Sequence, residues 1–144
     1  MVEVGWGIVI LVLGLLAWLG QAASWLMPEL AVRLSLMEAE VDVEPTYWAD
    51  IRGEVAWDTL TLWMLPLAGL LLIAGEPAWA IFGLMGGAAF VCFAGRGVFT
   101  RRAMQRRGFR IGAPQNVRMG YVFLGIWGAA ALITCVAAAA SVAL

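Results

Sequence analysis

Asp50, Glu54 and Asp58 stand four residues apart, so a helix through them would line three carboxylates along one face. Like charges at that spacing repel one another, and something has to offset the repulsion. Four chemistries would do so. Arg side chains could pair with the carboxylates, often bidentately. The oxygens could hold a hard cation such as Mg²⁺ or Ca²⁺. They could serve as a proton or ion-coupling site near a pore entrance, or one of them could act as a general acid or base. Tyr47, Arg52 and Thr61 are the other polar groups in the same stretch.

The second group that could do chemistry is basic. Residues 95–110 read "GRGVFTRRAMQRRGFR" and contain Arg96, Arg101, Arg102, Arg106, Arg107 and Arg110, six of the nine basic residues of the chain. Such a run next to an apolar segment marks membrane topology first of all. It also attracts anionic lipid headgroups, and Arg101, Arg102, Arg106 and Arg107 are the residues that would grip a phosphate. No recognition fold surrounds the run, so no nucleic-acid partner is expected.

The rest of the composition narrows the chemistry. The chain has no His and no Lys. That excludes a histidine base, imidazole-ligated haem, a His-containing zinc site, a Schiff-base lysine and a phosphate-binding P-loop. Cys92 and Cys135 fall at different depths of the expected bundle, so no disulfide joins them, and two cysteines cannot hold an iron–sulfur cluster by themselves. No cofactor or metal is expected, beyond a structural lipid.

The elements that must position these residues are membrane helices. Of the 144 residues, 63% are hydrophobic and 13% charged, and the mean hydropathy is +0.90. A soluble domain carries roughly twice that share of charge. Four segments lack charged residues, and each approaches or exceeds the length needed to cross a bilayer. Spans are expected at about 5–27, 56–74, 77–96 and 118–142. The second is the shortest; it would begin inside 51–57 and bring Asp58 to headgroup level. Glu3 precedes the first apolar segment and the first Arg is Arg33, an arrangement unlike a cleavable signal. That segment is therefore expected to stay.

Charge in the connectors gives the orientation. Residues 96–118 carry seven Arg and no acid, whereas 28–58 carry eight acids and two Arg. With four spans the two connectors share a side, and the positive-inside rule puts that side in the cytoplasm. Both termini and the short Gly75-Glu76-Pro77 turn then face out. The expected fold is an all-α integral membrane protein, N-out and C-out, with four transmembrane helices in one domain covering 1–144. A short interfacial helix follows Pro28, with Leu30, Leu34 and Met37 at helical spacing. An acidic loop, 28–55, and a basic loop, 97–117, are expected to dock and neutralise each other.

Within the spans, Pro66 should kink the second helix. Gln21, the one strongly polar residue of the first span, should face another helix, because an unpaired amide in lipid is costly. Gly83 and Gly87 make a GxxxG pair, and Gly125 and Ala129 continue the small-residue surface on the fourth span. Trp6 and Trp79 mark outer interfaces, Trp25 and Trp57 inner ones, and the mid-span Trp18 and Trp127 should pack between helices.

These features lead to a small polytopic protein of a prokaryotic plasma membrane. The leading expectation is a non-enzymatic helical module, self-associating or an accessory subunit of a larger membrane assembly, with membrane lipids, including anionic headgroups, among its partners. One alternative is a small oligomeric channel or transporter with a cytoplasmic carboxylate cluster. Another is a lipid- or lipophile-binding protein or membrane enzyme.

Overall fold

The computed structural model describes residues 1–143 and contains no strand among them. Six α-helices follow one another: α1 (Val2–Leu26), α2 (Pro28–Arg33), α3 (Pro45–Thr61), α4 (Met64–Ala74), α5 (Trp79–Arg106) and α6 (Pro114–Ala143). Four helical stretches are long and apolar enough to cross a membrane: Val2–Leu26, Pro45–Ala74, Trp79–Arg106 and Pro114–Ala143. The third and fourth of these pack against each other, α4 packs between α1 and α5, and α3 lies along α1. Trp6 Nε1 donates to Thr134 Oγ1 at 3.2 Å and Trp127 Nε1 donates to the Leu13 carbonyl at 2.9 Å, closing α1 against α6.

The helix boundaries have local causes. Pro28, Pro45 and Pro114 occupy first helical positions, where a missing N–H costs no bond. Gly75 ends α4 in the left-handed conformation (φ 73°), and the Glu76 N–H returns to the Leu71 carbonyl at 2.9 Å. Pro66 leaves the Leu62 carbonyl without its usual donor, and the helix breaks at Leu62 and Trp63, between α3 and α4. Side chains attend to the carbonyls near that break: Trp18 Nε1 donates to Thr59 O at 2.8 Å and Trp63 Nε1 to Leu60 O at 3.0 Å. Gly14 lets α1 press directly on Pro66, since a Cβ there would come within 2.7 Å of the proline ring.

Two boundaries differ from the sequence expectation. The helix after Pro28 stops at Arg33 instead of running to Met37. Ser35 takes a positive φ of 57°, the Leu36 N–H bonds back to Ala31 O, and Met37 packs against the core at the connector end. The segment expected as a basic loop from 97 is helical through Arg106, so most of the Arg run lies on α5. The expected boundary follows the first charge, Arg96, whereas the helix continues past it with Gly97 buried against Leu124 of α6.

The interior divides in two. One core runs through the bundle around Ile10, Leu62, Leu65, Phe90 and Ala131. A second, formed by Val43, Tyr47, Ile51, Val55 and Ile111, sits at the end where both connectors lie, with Met104, Phe109 and Val117 packed on it. The carboxylate face of α3 lies between these cores.

Candidate functional site

Helix α3 places Asp50, Glu54 and Asp58 on one face, at successively deeper levels. The Asp50 side chain is 29% exposed, while Glu54 and Asp58 are each 4% exposed. Arg96 of α5 meets the outer two. Its Nη2 donates to Asp50 Oδ1 at 2.9 Å, and its Nη1 lies 3.8 Å from Glu54 Oε1, an ion pair too long for a hydrogen bond. Arg101, whose Nη1 donates to Gly97 O at 3.0 Å, contributes a second positive charge facing Tyr47, Glu54 and Asp58.

Among the described residues the Asp58 carboxylate makes no hydrogen bond and no ion pair, and its Oδ2 is wholly enclosed. Glu54 Oε1 is likewise buried without a hydrogen-bond donor. A third enclosed, unpartnered oxygen is Gln21 Oε1 of α1. Its register is fixed by its neighbours: Trp18 bonds the Thr59 carbonyl, while the Ser24 and Trp25 carbonyls take hydrogen bonds from Arg52. Gln21 therefore lies opposite the 54–58 stretch. Buried polar atoms are nearly always satisfied, so three orphan oxygens on facing stretches of α1 and α3 call for a physical account.

One cation shared by all three carboxylates does not provide one. From Asp50 to Asp58 the helix rises about 12 Å, far beyond what a single coordination shell spans. No group of three or more acidic or Cys residues among the described residues is gathered so as to hold a metal ion. Asp58 is enclosed by the bundle, which its spacing alone does not show.

The Arg run splits by direction. Arg96 and Arg101 turn toward the carboxylates; Arg102, Arg106, Arg107 and Arg110 are exposed. Arg102 lies 6.0 Å from the Tyr121 ring centre, and Arg110 pairs with Glu44 at 3.9 Å. A groove of about 630 Å³ at the connector end is lined by Glu38, Gln105, Arg110, Arg118 and Tyr121 among others. Arg101, Arg102, Arg106 and Arg107, the residues expected to grip a headgroup, do not line it.

The small residues also divide. Gly83 and Gly87 press on α6, where an added Cβ would meet Ala138 and Cys135 respectively. A Cβ added at Gly125 would have no atom within 4 Å, and Ala129 is exposed, so both face away from the bundle. Sequence reasoning placed Arg52 and Tyr47 near the carboxylates but missed what they do. The Arg52 guanidinium binds the last carbonyls of α1, and Tyr47 is 7% exposed beside the cluster. Nothing in the spacing alone marks either role.

No family model, curated protein or solved structure matches this chain.

Proposed function

We propose that the chain is a small ion-handling membrane bundle, of channel or carrier type, whose binding group is the Asp58 carboxylate. One observation carries this reading: Asp58 is 4% exposed, its carboxylate has no partner among the described residues, and it lies one helical turn before a break in its own apolar helix. An unpaired carboxylate in such surroundings is costly, and ionisable groups inside membrane helices face the bundle interior where they serve transport. Broken helices recur at ion sites in membrane carriers because they bring backbone carbonyls and side chains together. Purified full-length chain in liposomes loaded with pH-, Na⁺- or K⁺-sensitive dye tests the proposal. Flux lowered at least about tenfold by Asp58→Asn, equivalent to about 1.4 kcal/mol of barrier, supports it. Wild-type liposomes that pass no ion, or Asp58→Asn liposomes that pass ions as well as wild type, overturn it.

A second reading, the non-enzymatic self-associating module, draws on Gly125 and Ala129, which lie on an uncovered face of α6. Small residues let another helix approach closely. Gly125→Cys in a background lacking Cys92 and Cys135 should form a disulfide-linked dimer in native membranes; a monomer under oxidising conditions removes this reading.

A further inference from the structure

The carboxylates of α3 change their surroundings in a fixed order. Asp50 is in reach of water at the connector end, Glu54 is enclosed one turn deeper, and Asp58 is enclosed one turn deeper again. Side chains four apart on a helix are neighbours, with Cβ atoms about 6 Å apart, so adjacent carboxyl groups lie within reach of each other directly or through one water. The charged and titratable groups facing this face are Tyr47 from α3 and Arg96 and Arg101 from α5. Helix α1 contributes the uncharged Gln21, and its one charged side chain, Glu3, is at the far end.

We infer that Asp50, Glu54 and Asp58 form a stepped path for a proton between the connector end and the bundle interior, with Arg96 as its gate. The inference rests on the ion-handling reading and names the cargo as H⁺. Asp50 and Asp58 are separated by about 12 Å of helix rise, so one metal cation cannot be held by all three carboxylates. A proton requires only one oxygen at a time. It also supplies what the orphan atoms lack: an O–H on Asp58 donates to Glu54 Oε1 or Gln21 Oε1, so one hydrogen satisfies a donor and an acceptor together.

Each step conserves charge and atoms. A proton leaves hydronium at the connector end and forms an O–H bond on Asp50. That bond breaks as an O–H forms on Glu54, and the Glu54 bond breaks as one forms on Asp58. Arg96 exchanges no proton, since guanidinium stays charged. It controls the outer step by position: its Nη2 holds Asp50 at 2.9 Å while Nη1 stands 3.8 Å from Glu54, and its side chain is 43% exposed, with room to swing outward.

Infrared spectroscopy of the full-length chain in lipid, in H₂O and D₂O, tests this apart from ion flux. Wild type is expected to show a protonated-carboxyl C=O band that Asp58→Asn removes and Glu54→Gln shifts. After transfer to D₂O, the isotope shift of that band should be about tenfold faster in Arg96→Gln, with Arg96→Lys between it and wild type. Unchanged tryptophan emission and elution volume establish that each variant is folded. A wild type with no such band, a band that survives Asp58→Asn, or exchange indifferent to Arg96→Gln overturns the inference. Na⁺ or K⁺ flux without the band rejects the proton path but keeps the ion-handling reading; the band without any flux does the reverse.

Discussion

The Glu44 N–H donates to the Arg110 carbonyl at 2.8 Å, and the side chains of the same two residues approach to 3.9 Å. One acidic and one basic connector are thereby joined through the backbone as well as by charge. Asn116 adds a hydrogen bond to Glu38 at 2.7 Å, and Gly112 (φ 129°) leaves room for the Glu38 carboxylate where a Cβ would collide with it. Beneath these polar contacts lies the apolar cluster of Val43, Tyr47, Ile51, Val55 and Ile111. The docking forms a floor under the carboxylate face of α3.

The apolar part of that floor should contribute most of its stability. Ile111 is 4% exposed, and truncating it to Ala should lower unfolding free energy by about 2–4 kcal/mol. Arg110→Ala removes an exposed ion pair and should cost less than about 1 kcal/mol. Thermal unfolding in detergent, followed by tryptophan fluorescence, checks the order. Equal losses would show that charge pairing holds the connectors together.

Glycine packing gives a sharper contrast. A Cβ on Gly86 would come within 2.5 Å of the Leu65 backbone, whereas Gly95 has no atom within 4 Å of that position. Gly86→Ala forces α4 and α5 apart and should cost about 1–3 kcal/mol. Gly95→Ala should be neutral or stabilise by up to about 1 kcal/mol through helix propensity. Melting temperatures of the two variants, measured side by side, decide it.

Arg52 anchors α3 to the end of α1 by donating to the Ser24 and Trp25 carbonyls, the latter at 3.0 Å. Helix C-termini carry such unpaired carbonyls and favour a cation. Arg52→Gln should cost about 1–3 kcal/mol, as expected for hydrogen bonds from a charged donor. Arg52→Lys should recover part of that loss, because it keeps the charge but not the forked geometry. Identical melting for Arg52→Gln and wild type would remove this anchoring role.

The four long apolar helices were legible because uncharged runs of that length leave few other structures open. The break near Pro66 was legible for the same local reason, a missing N–H. Opposed connector charges pointed to docking, but not to its partners: of the six clustered Arg residues, only Arg96 and Arg110 form ion pairs with acids among the described residues, and which face each occupies depends on how far α5 continues. That extent was hidden because the charge beginning at Arg96 marks the end of an apolar segment and not of a helix, and the packing of Gly97 on Leu124 of α6 is not written in the spacing. The depth of Asp58 was hidden too. Spacing places it on the face of Asp50 and Glu54, yet only the packing of α1 and α5 over that face decides that it is enclosed.

Sidedness is the last consequence that can be measured directly. Val41 and Arg107 are exposed in the acidic and basic connectors, while Glu76 lies in the turn at the other end of the bundle. Single cysteines at these three positions, in a background where Cys92 and Cys135 are replaced, report which are reached by an impermeant maleimide in intact cells. Because the two connectors are docked on each other, Val41→Cys and Arg107→Cys should share one accessibility pattern and Glu76→Cys should show the opposite one. The nine Arg residues all lie on the connector side, so the positive-inside rule requires that side to be shielded in intact cells and labelled after permeabilisation. Labelling of Glu76→Cys alone in intact cells is the expected result. Labelling of Val41→Cys and Arg107→Cys from opposite sides would contradict both the docked floor and the bundle above it.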